Sequence, residues 1–375
     1  MFKRVIQGSI NGDFFKGKAI VIVGARQVGK TTLVNQILSD CVKSIKRFNA
    51  DDPADRELLE NKNLEVLKQI IGGSEIIFID EAQKVSDAGN MLKLLIDYYK
   101  KSKQFIVTGS SSLNLLDATS ESLTGRKFTY TLFPLSLEET YVDKNLLDIR
   151  KNLESHLIYG MYPEVVMQTS FEDKARILHE VSSSYLYKDI FDYQEVRNPS
   201  VLNALLKALA LQIGSEVSYS EVSKLIGVDV KTVGRYIDLL EKSYVLFRMS
   251  AYTTGKRREI SKNKKVYFYD VGIRNSVIDN FSEIDSRNDV GVLWENFLIV
   301  ERMKFKSYHT IYNKQFFWRT YDGSEIDLVE EGSGKLSGYE IKWGDKKPTV
   351  PEKWREYKNS SYQVINRDSL LDFVL

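Results

Sequence analysis

The chain has 375 residues, 43% of them hydrophobic, and a net charge of +2. That length favours two or three domains with well-packed cores. The near balance of charge removes any whole-molecule attraction to nucleic acid, so such a role needs local patches. A single cysteine, Cys41, and three scattered histidines, His156, His179 and His309, exclude a disulfide framework and a zinc site of the usual kind, and fit a reducing compartment. No stretch approaches the roughly 20 apolar residues of a membrane span. The opening MFKRVIQGSINGDFFKGK lacks the long apolar run of a secretory signal. The expectation is a soluble, cytoplasmic protein with no membrane contact.

Residues 19–23, AIVIV, read as a buried parallel strand. GARQVGKTT follows directly and fits G-x-x-x-x-G-K-[ST] through Gly24, Gly29, Lys30 and Thr31, and TLVNQIL then has helical periodicity. Strand, glycine loop and helix form the context that a phosphate-binding loop requires. The loop residues Gly24, Ala25, Arg26, Gln27, Val28, Gly29, Lys30, Thr31 and Thr32 are therefore candidates to hold a nucleotide. Backbone N–H groups and the helix N-terminus would cradle phosphate oxygens. Lys30 would reach the β- and γ-phosphates, and Thr31 would ligate Mg²⁺.

Residues 75–83, EIIFIDEAQ, carry an apolar strand ending in two acids. Asp80 is placed to hold the Mg²⁺ shell and Glu81 to polarise an attacking water. A third apolar strand, QFIVTGSSS at 104–112, ends in small hydroxyl residues. Ligands sit at the carboxyl ends of strands in open α/β sheets, so Ser110 is a γ-phosphate sensor or else part of a turn that caps the next helix.

In order, GARQVGKTTL, FNADDP, IIFIDEAQ, IVTGSSS and LTGRKFTYTLFPLSLEE resemble the AAA-type ATPase module of a large prokaryotic family, in which a C-terminal domain of uncharacterised function follows. The resemblance covers residues 1 to about 140. It implies a P-loop parallel sheet with helices on both faces, a catalytic Glu after the Walker Asp, and ATP rather than GTP. It also implies that Arg126, in LTGRKF, is an arginine-finger or phosphate-sensing candidate acting in cis or, in an oligomer, in trans; a surface ion pair is the alternative. Arg26 is a family-like residue that could reach nucleotide or a partner protein.

Beyond FPLSLEE the pattern turns helical. YGMYPEVV at 159–166 is a Gly/Pro interruption, and 171–195 reads as one long helix. In 219–249, Ser220 is expected to cap a short helix ending at Ile226, GVD to turn, and Lys231–Leu240 to form a second helix with apolar Val233, Ile237 and Leu240. YVLFRM and VYFYD read as strands flanking the basic GKRREISKNKK. Two helices and a hairpin with a basic tip describe a winged helix. If it binds DNA or RNA, Lys231, Thr232 and Arg235 would face the groove, and Lys256, Arg257 and Arg258 would touch phosphates. Winged helices also dock proteins, so a protein partner is the alternative.

The last hundred residues carry a different constellation. GVLWENFLIVERMK at 291–304 is an amphipathic helix with Glu295 near its start, and FFWRTYDGSEIDLVEE is two strands around Asp322-Gly323, with Asp327 in the second. Glu-x-Lys occurs four times, at Glu60, Glu172, Glu340 and Glu356, but only Glu340 follows a strand Asp on a hairpin. A helical Glu, a strand Asp and then Glu-x-Lys resemble the restriction-endonuclease-like nuclease fold. That resemblance implies Glu295, Asp327 and Glu340 as oxygen ligands for a metal, with Lys342 steadying a hydroxide or phosphorane charge. An ordinary salt-bridge cluster is the alternative.

The expected fold class is α/β: a P-loop, AAA-like parallel sheet, then a helical and winged-helix region and an α/β restriction-endonuclease-like domain. The expected divisions are 1–145 for the ATPase, 146–205 for a helical connector, 206–270 for the winged helix and 271–375 for the nuclease-like domain. Three functions compete: a Mg²⁺-dependent ATPase coupled to nucleic-acid handling, an ATP-dependent metal nuclease, and a nucleotide-gated docking regulator with an inactive nuclease-like scaffold.

Overall fold

A computed structural model describes residues 2–60, 63–110, 123–141, 146–185, 198–253, 264–346 and 348–375. The chain forms two compact units, 1–133 with the short segment 242–244, and 134–241 with 245–375. The first unit's main segment ends before residue 145, and apart from 242–244 the ranges 146–205, 206–270 and 271–375 lie in the second unit.

The first unit is built on five parallel strands: β1 (Ala19–Val23), β2 (Ile45–Asn49), β3 (Ile76–Asp80), β4 (Gln104–Gly109) and β5 (Lys127–Thr131), in the order β2-β3-β4-β1-β5. β1, β3 and β4 are the three expected strands. They are apolar throughout because central parallel strands are buried on both faces. On one face, Val21, Val23, Ile77, Ile79, Phe105 and Val107 pack with Leu67, Ile71, Leu92, Leu95 and Ile96 from the helices Leu64–Ile71 and Ala88–Tyr99. Their alternates Ile20, Ile22, Phe78 and Ile106 are buried on the other face. In FNADDP, the Asp52 carboxylate accepts from the Ala54 N–H at 2.9 Å, and Pro53 opens the helix Pro53–Leu59.

In the second unit, the helix Val290–Tyr308 runs longer than the 291–304 expected. It is buried on more than one side. Leu293, Phe297, Leu298 and Val300 are buried, and so are Asn296, Glu301 and Lys304. Each polar group has work to do. Asn296 donates to Phe268 O and accepts from Phe268 N, both at 2.8 Å. Glu301 accepts from Leu137 N at 2.8 Å, and Lys304 donates to Leu135 O at 2.8 Å and to Glu301 at 2.6 Å. These bonds tie 134–141 to this unit and explain why the first unit stops at Phe133. Burying such a pair is tolerated because both partners also hydrogen-bond to backbone groups, Glu301 to Leu137 N and Lys304 to Leu135 O.

The helices Tyr219–Ile226 and Val230–Lys242 are joined through Gly227, whose φ of 71° ends the first. The cap is Ser218, not Ser220: Ser218 is extended, and its Oγ accepts from Glu221 N at 3.4 Å. The strands β6 (Glu216–Val217), β7 (Leu246–Met249) and β8 (Lys264–Phe268) form an antiparallel sheet in the order β6-β8-β7. Residues 254–263, with Lys256, Arg257 and Arg258, lie outside the described residues. The expected long helix 171–195 begins as Phe171–Glu180 and continues as a π-turn, Val181–Tyr185; its remainder also lies outside them.

A four-stranded sheet completes the unit: β9 (Lys314–Arg319), β10 (Glu325–Gly332), β11 (Lys335–Ile341) and β12 (Ser360–Ile365), in the order β12-β11-β10-β9, with only β11 and β12 parallel. One face packs Trp318, Ile326, Val329, Leu336 and Trp354 together.

The Gly/Pro interruption has a packing reason. Asp270 caps the helix Val271–Val277 by accepting from Gly272 N and Ile273 N, and it also accepts from Met161 N at 2.7 Å. Burial pushes its carboxyl up to about 6 although these donors pull the other way. A Cβ on Gly160 would lie 2.0 Å from Asp270 Oδ1, and the φ there is 71°. Gly160→Ala should destabilise the protein by about 2–4 kcal/mol, from overpacking plus left-handed strain. Gly8→Ala meets nothing within 4 Å and should leave stability nearly unchanged. Thermal and denaturant unfolding of the two variants check this; equal stability would contradict the account.

Candidate nucleotide site and a second carboxylate cluster

The phosphate loop leaves β1 through Gly24 at a φ of 152°, where a Cβ would lie 2.1 Å from Leu132 O. Leu132 N in turn donates to Val23 O at 2.7 Å, so β5 presses against the turn and only glycine fits. Gln27 takes a left-handed φ of 61° without being glycine. Gly29, at 95°, precedes the helix Lys30–Ser39. Lys30 is buried, and its ammonium donates to Gly24 O at 3.0 Å and Ala25 O at 2.8 Å. Ala25 and Val28 are buried, Arg26 is half-buried, and Gln27, Thr31 and Thr32 are exposed.

Arg4, absent from the sequence reading, braces this loop. Its buried guanidinium donates to Val28 O at 2.8 Å and to Phe133 O at 2.6 Å. A lone basic residue near an N-terminus gives no sequence signal for that role.

β4 lies between β1 and β3, and its carboxyl end completes the site. The Asp80 carboxylate accepts from Thr31 Oγ1 at 2.8 Å and from Thr108 Oγ1. Thr108 Oγ1 also accepts from Glu81 N at 3.3 Å. The two expected Mg²⁺ ligands, Thr31 and Asp80, are therefore already side by side. Both offer hard oxygens, the donor type that Mg²⁺ selects. Glu81 sits in the left-handed region at φ 51°, ψ 41°. Its carboxylate accepts from Gln83 Nε2, which also donates to the buried Ser110 Oγ at 3.0 Å. Lys30, Thr31, Asp80, Glu81 and Ser110 all converge at the carboxyl ends of β1, β3 and β4, where ligands sit in such sheets.

Arg126 does not join them. It precedes β5, and its carbonyl accepts from Ala19 N at the opposite end of β1 from the loop. A five-residue strand spans about 16 Å, and the Arg126 guanidinium pairs with Asp97 at 2.6 Å. In this structure Arg126 stands away from the loop and forms a half-exposed ion pair with Asp97.

The second cluster lies in the C-terminal unit. Leu328 pairs with Tyr339, so the next step of the antiparallel register sets Asp327 opposite Glu340. A β-bulge between Ile326 and Val329 interrupts the pairing with β9 there. Asp327 accepts from Ile341 N at 2.7 Å. Lys342 lies 2.6 Å from Glu340 and 3.6 Å from Asp327. Glu295 accepts from Tyr267 Oη at 2.6 Å and pairs with the buried Lys265 at 3.3 Å; Lys265 also pairs with Glu325. Lys265 closes the basic stretch GKRREISKNKK, yet it is an internal counter-ion rather than a phosphate contact. Burial, with Asp327 adding to it, pushes Glu295 up to about 7 and raises Glu340 too. Burial lowers Lys342, but Asp327 and Glu340 outweigh it and hold the ammonium above its ordinary value.

Glu340 Oε2 is buried without a hydrogen-bond partner among the described residues. Among those same residues, however, no group of three or more His, Cys, Asp or Glu side chains is placed to hold a metal ion. The expected set Glu295, Asp327 and Glu340 is thus not a three-carboxylate cage, because Lys265 and Lys342 stand among the acids. Asp327 and Glu340 remain as a facing pair. The other Glu-x-Lys glutamates, Glu60, Glu172 and Glu356, sit at or within helical segments.

Parallel sheet, phosphate loop and acid-tipped β3 define the first unit as a P-loop NTPase fold. Residues 16–141 match the family model described as an AAA domain. Residues 150–284 and 290–370 match two domains of unknown function, DUF8612 and DUF4143. An uncharacterised protein of Mycobacterium tuberculosis is 27% identical over 334 residues, covering 87% of this chain and 70% of that protein. One from Methanocaldococcus jannaschii is 25% identical over 358 residues, covering 88% and 76%. Among solved structures, a Walker-type ATPase of Pyrococcus abyssi aligns with a TM-score of 0.49 at 15% identity, covering 74% of this chain and 96% of that one. Among the described residues, no helix is long and apolar enough to cross a membrane.

Arg4→Ala removes two buried, charge-assisted bonds of about 1.5–3 kcal/mol each. If half of one such bond is felt at the loop, nucleotide affinity falls about threefold to tenfold. Titration calorimetry with ATP and Mg²⁺ checks this, and unchanged affinity would show that Arg4 does not brace the loop.

Proposed function

We propose that this protein is a Mg²⁺-dependent ATPase whose nucleotide state is coupled to a C-terminal winged-helix and nuclease-like half acting on or near nucleic acid. The observation that carries the ATPase reading is the Asp80–Thr31 hydrogen bond beside Lys30, which gathers a phosphate-binding cation and two hard oxygens at one point. In this reading Thr31 and Asp80 hold Mg²⁺, which supplies neutralisation of phosphate charge. Lys30 exchanges its loop carbonyls for phosphate oxygens. Glu81 orients and polarises the attacking water, and the Ser110 hydroxyl reports on the γ-phosphate. Arg126 contributes only from a neighbouring subunit, after leaving Asp97.

For nucleic acid, the support is the exposed pair Lys231 and Arg235, four residues apart on the helix Val230–Lys242. Thr232 is less available: its N–H and hydroxyl both donate to Asp229, at 2.9 and 2.7 Å. A second reading, an ATP-dependent metal nuclease, is favoured by the facing pair Asp327 and Glu340 beside Lys342, and by the unpartnered Glu340 Oε2. A docking regulator is favoured by the internal ion pairs of that same cluster.

Lys30→Ala should abolish nucleotide binding and turnover. Glu81→Gln should keep binding and lower kcat about 100-fold or more, the usual contribution of a general base. Turnover by Glu81→Gln at the wild-type rate would remove Glu81 from the mechanism. Binding to DNA or RNA should weaken with salt, and Lys231→Ala should reduce the slope of log K against log[salt] by about 1. Cleavage of any nucleic acid with Mg²⁺ or Mn²⁺ that disappears in Asp327→Ala supports the nuclease reading, whereas no cleavage by the wild-type protein under any of these conditions refutes it.

A further inference from the structure

The expected base and the expected sensor come from different strands, yet one side chain joins them. Gln83 lies in the short 3-10 turn Ala82–Lys84 that follows Glu81. Its Nε2 donates both to the Glu81 carboxylate and to Ser110 Oγ, the latter at 3.0 Å. The amide cannot be turned over, because a carboxylate only accepts, so the NH₂ must face Glu81. That leaves Gln83 Oε1 buried and with no hydrogen-bond partner among the described residues. A buried acceptor without a donor is costly, and where one persists in a native site it commonly serves a ligand or a bound water. The backbone is held to the same end. Glu81 takes its left-handed conformation with its N–H donating to Thr108 Oγ1, which in turn donates to Asp80. Left-handed non-glycine residues at such places store strain that the surroundings must hold.

We infer that Gln83 is a positioning residue for hydrolysis: its amide fixes the Glu81 carboxylate against Ser110, and its carbonyl oxygen accepts a hydrogen from the water that Glu81 polarises. Base, sensor and water site then behave as one hydrogen-bonded unit. Loss of the amide frees the Glu81 rotamer without touching the phosphate loop, so chemistry suffers and binding does not. No covalent step is assigned to Gln83, and the proton taken from water goes to Glu81. This inference rests on the ATPase reading above.

The test is steady-state ATP hydrolysis with Mg²⁺, with nucleotide affinity measured in parallel, for the wild-type chain, Gln83→Ala, Ser110→Ala, Glu81→Gln, and the doubles Gln83→Ala/Ser110→Ala and Gln83→Ala/Glu81→Gln. Gln83→Ala should lower kcat about 100-fold, the scale on which a misplacement of about 1 Å acts, with KM and nucleotide affinity within about twofold of wild type. Adding Gln83→Ala to Glu81→Gln should lower kcat by much less than it does in the wild-type background, because most of its effect runs through the Glu81 carboxylate. The double with Ser110→Ala should fall well short of the product of the two single effects. Gln83→Glu, which keeps the volume but sets a carboxylate against Glu81, should show the same kcat-selective loss and serves if the alanine variant folds poorly. A wild-type kcat in both Gln83 variants, a loss confined to KM or affinity, or an undiminished further loss in the Glu81→Gln background would each overturn the inference while leaving the ATPase reading intact. A wild-type chain that binds but never hydrolyses a nucleoside triphosphate overturns the hydrolytic reading itself, and this inference with it.

Discussion

The site depends on one carboxylate. Asp80 stands at the tip of β3 and is bonded to Thr108 on β4 and to Thr31 at the start of the helix that follows the phosphate loop. Because β4 separates β3 from β1, no backbone ladder can join the acid strand to the loop strand. The side-chain bonds do so instead. They set the distance between the phosphate loop and Glu81, and the Glu81 backbone is drawn into the same network through Thr108. Around this point the rest is rigid by construction. β1, β3 and β4 are buried on both faces, β5 closes on Gly24, and Arg4 pins Val28.

The C-terminal cluster follows a different logic. Its acids face their own lysines: Lys265 lies against Glu295 and Glu325, and Lys342 against Glu340 and Asp327. Burial, above all, pushes Glu295 and Glu340 up, and the excess of four carboxylates over two ammoniums, through Asp327, adds to it. Buried charge arrays of this kind are poor evidence of added stability. Perturbed carboxyls in a cluster are a recognised mark of functional sites, though structural ion-pair networks perturb them as well.

Much of the nucleotide site was legible from sequence because its signals are local. Gly24 to Thr31 are contiguous, and Asp80 and Glu81 end an apolar run that only a central strand would carry. The edge strands β2 and β5 were missed for the converse reason: IKRFN carries two adjacent basic residues and KFTYT alternates polar with aromatic, so neither has an apolar run. Arg4 and Gln83 were illegible because their partners lie far along the chain, at Val28, Phe133 and Ser110. Arg126 was misplaced because a motif gives order along the sequence and not the end of the sheet at which a residue falls. In the C-terminal half, the strand order Asp327 then Glu340 was legible, and the antiparallel register of β10 and β11 sets the two opposite each other. No local pattern announced that Lys265, the last residue of a basic run, would be buried among the acids.

In the reading proposed above, Asp80 and Thr31 form a preassembled Mg²⁺ position beside the phosphate loop. The most direct measurement is ATP affinity with and without Mg²⁺ for the wild-type chain and for Asp80→Asn, by calorimetry. Mg²⁺ should tighten binding to the wild-type chain about tenfold or more, a gain of about 1.4 kcal/mol or more, and most of this gain should be lost in Asp80→Asn. Equal affinity of the wild-type chain with and without Mg²⁺, or a Mg²⁺ gain fully retained by Asp80→Asn, would contradict that reading.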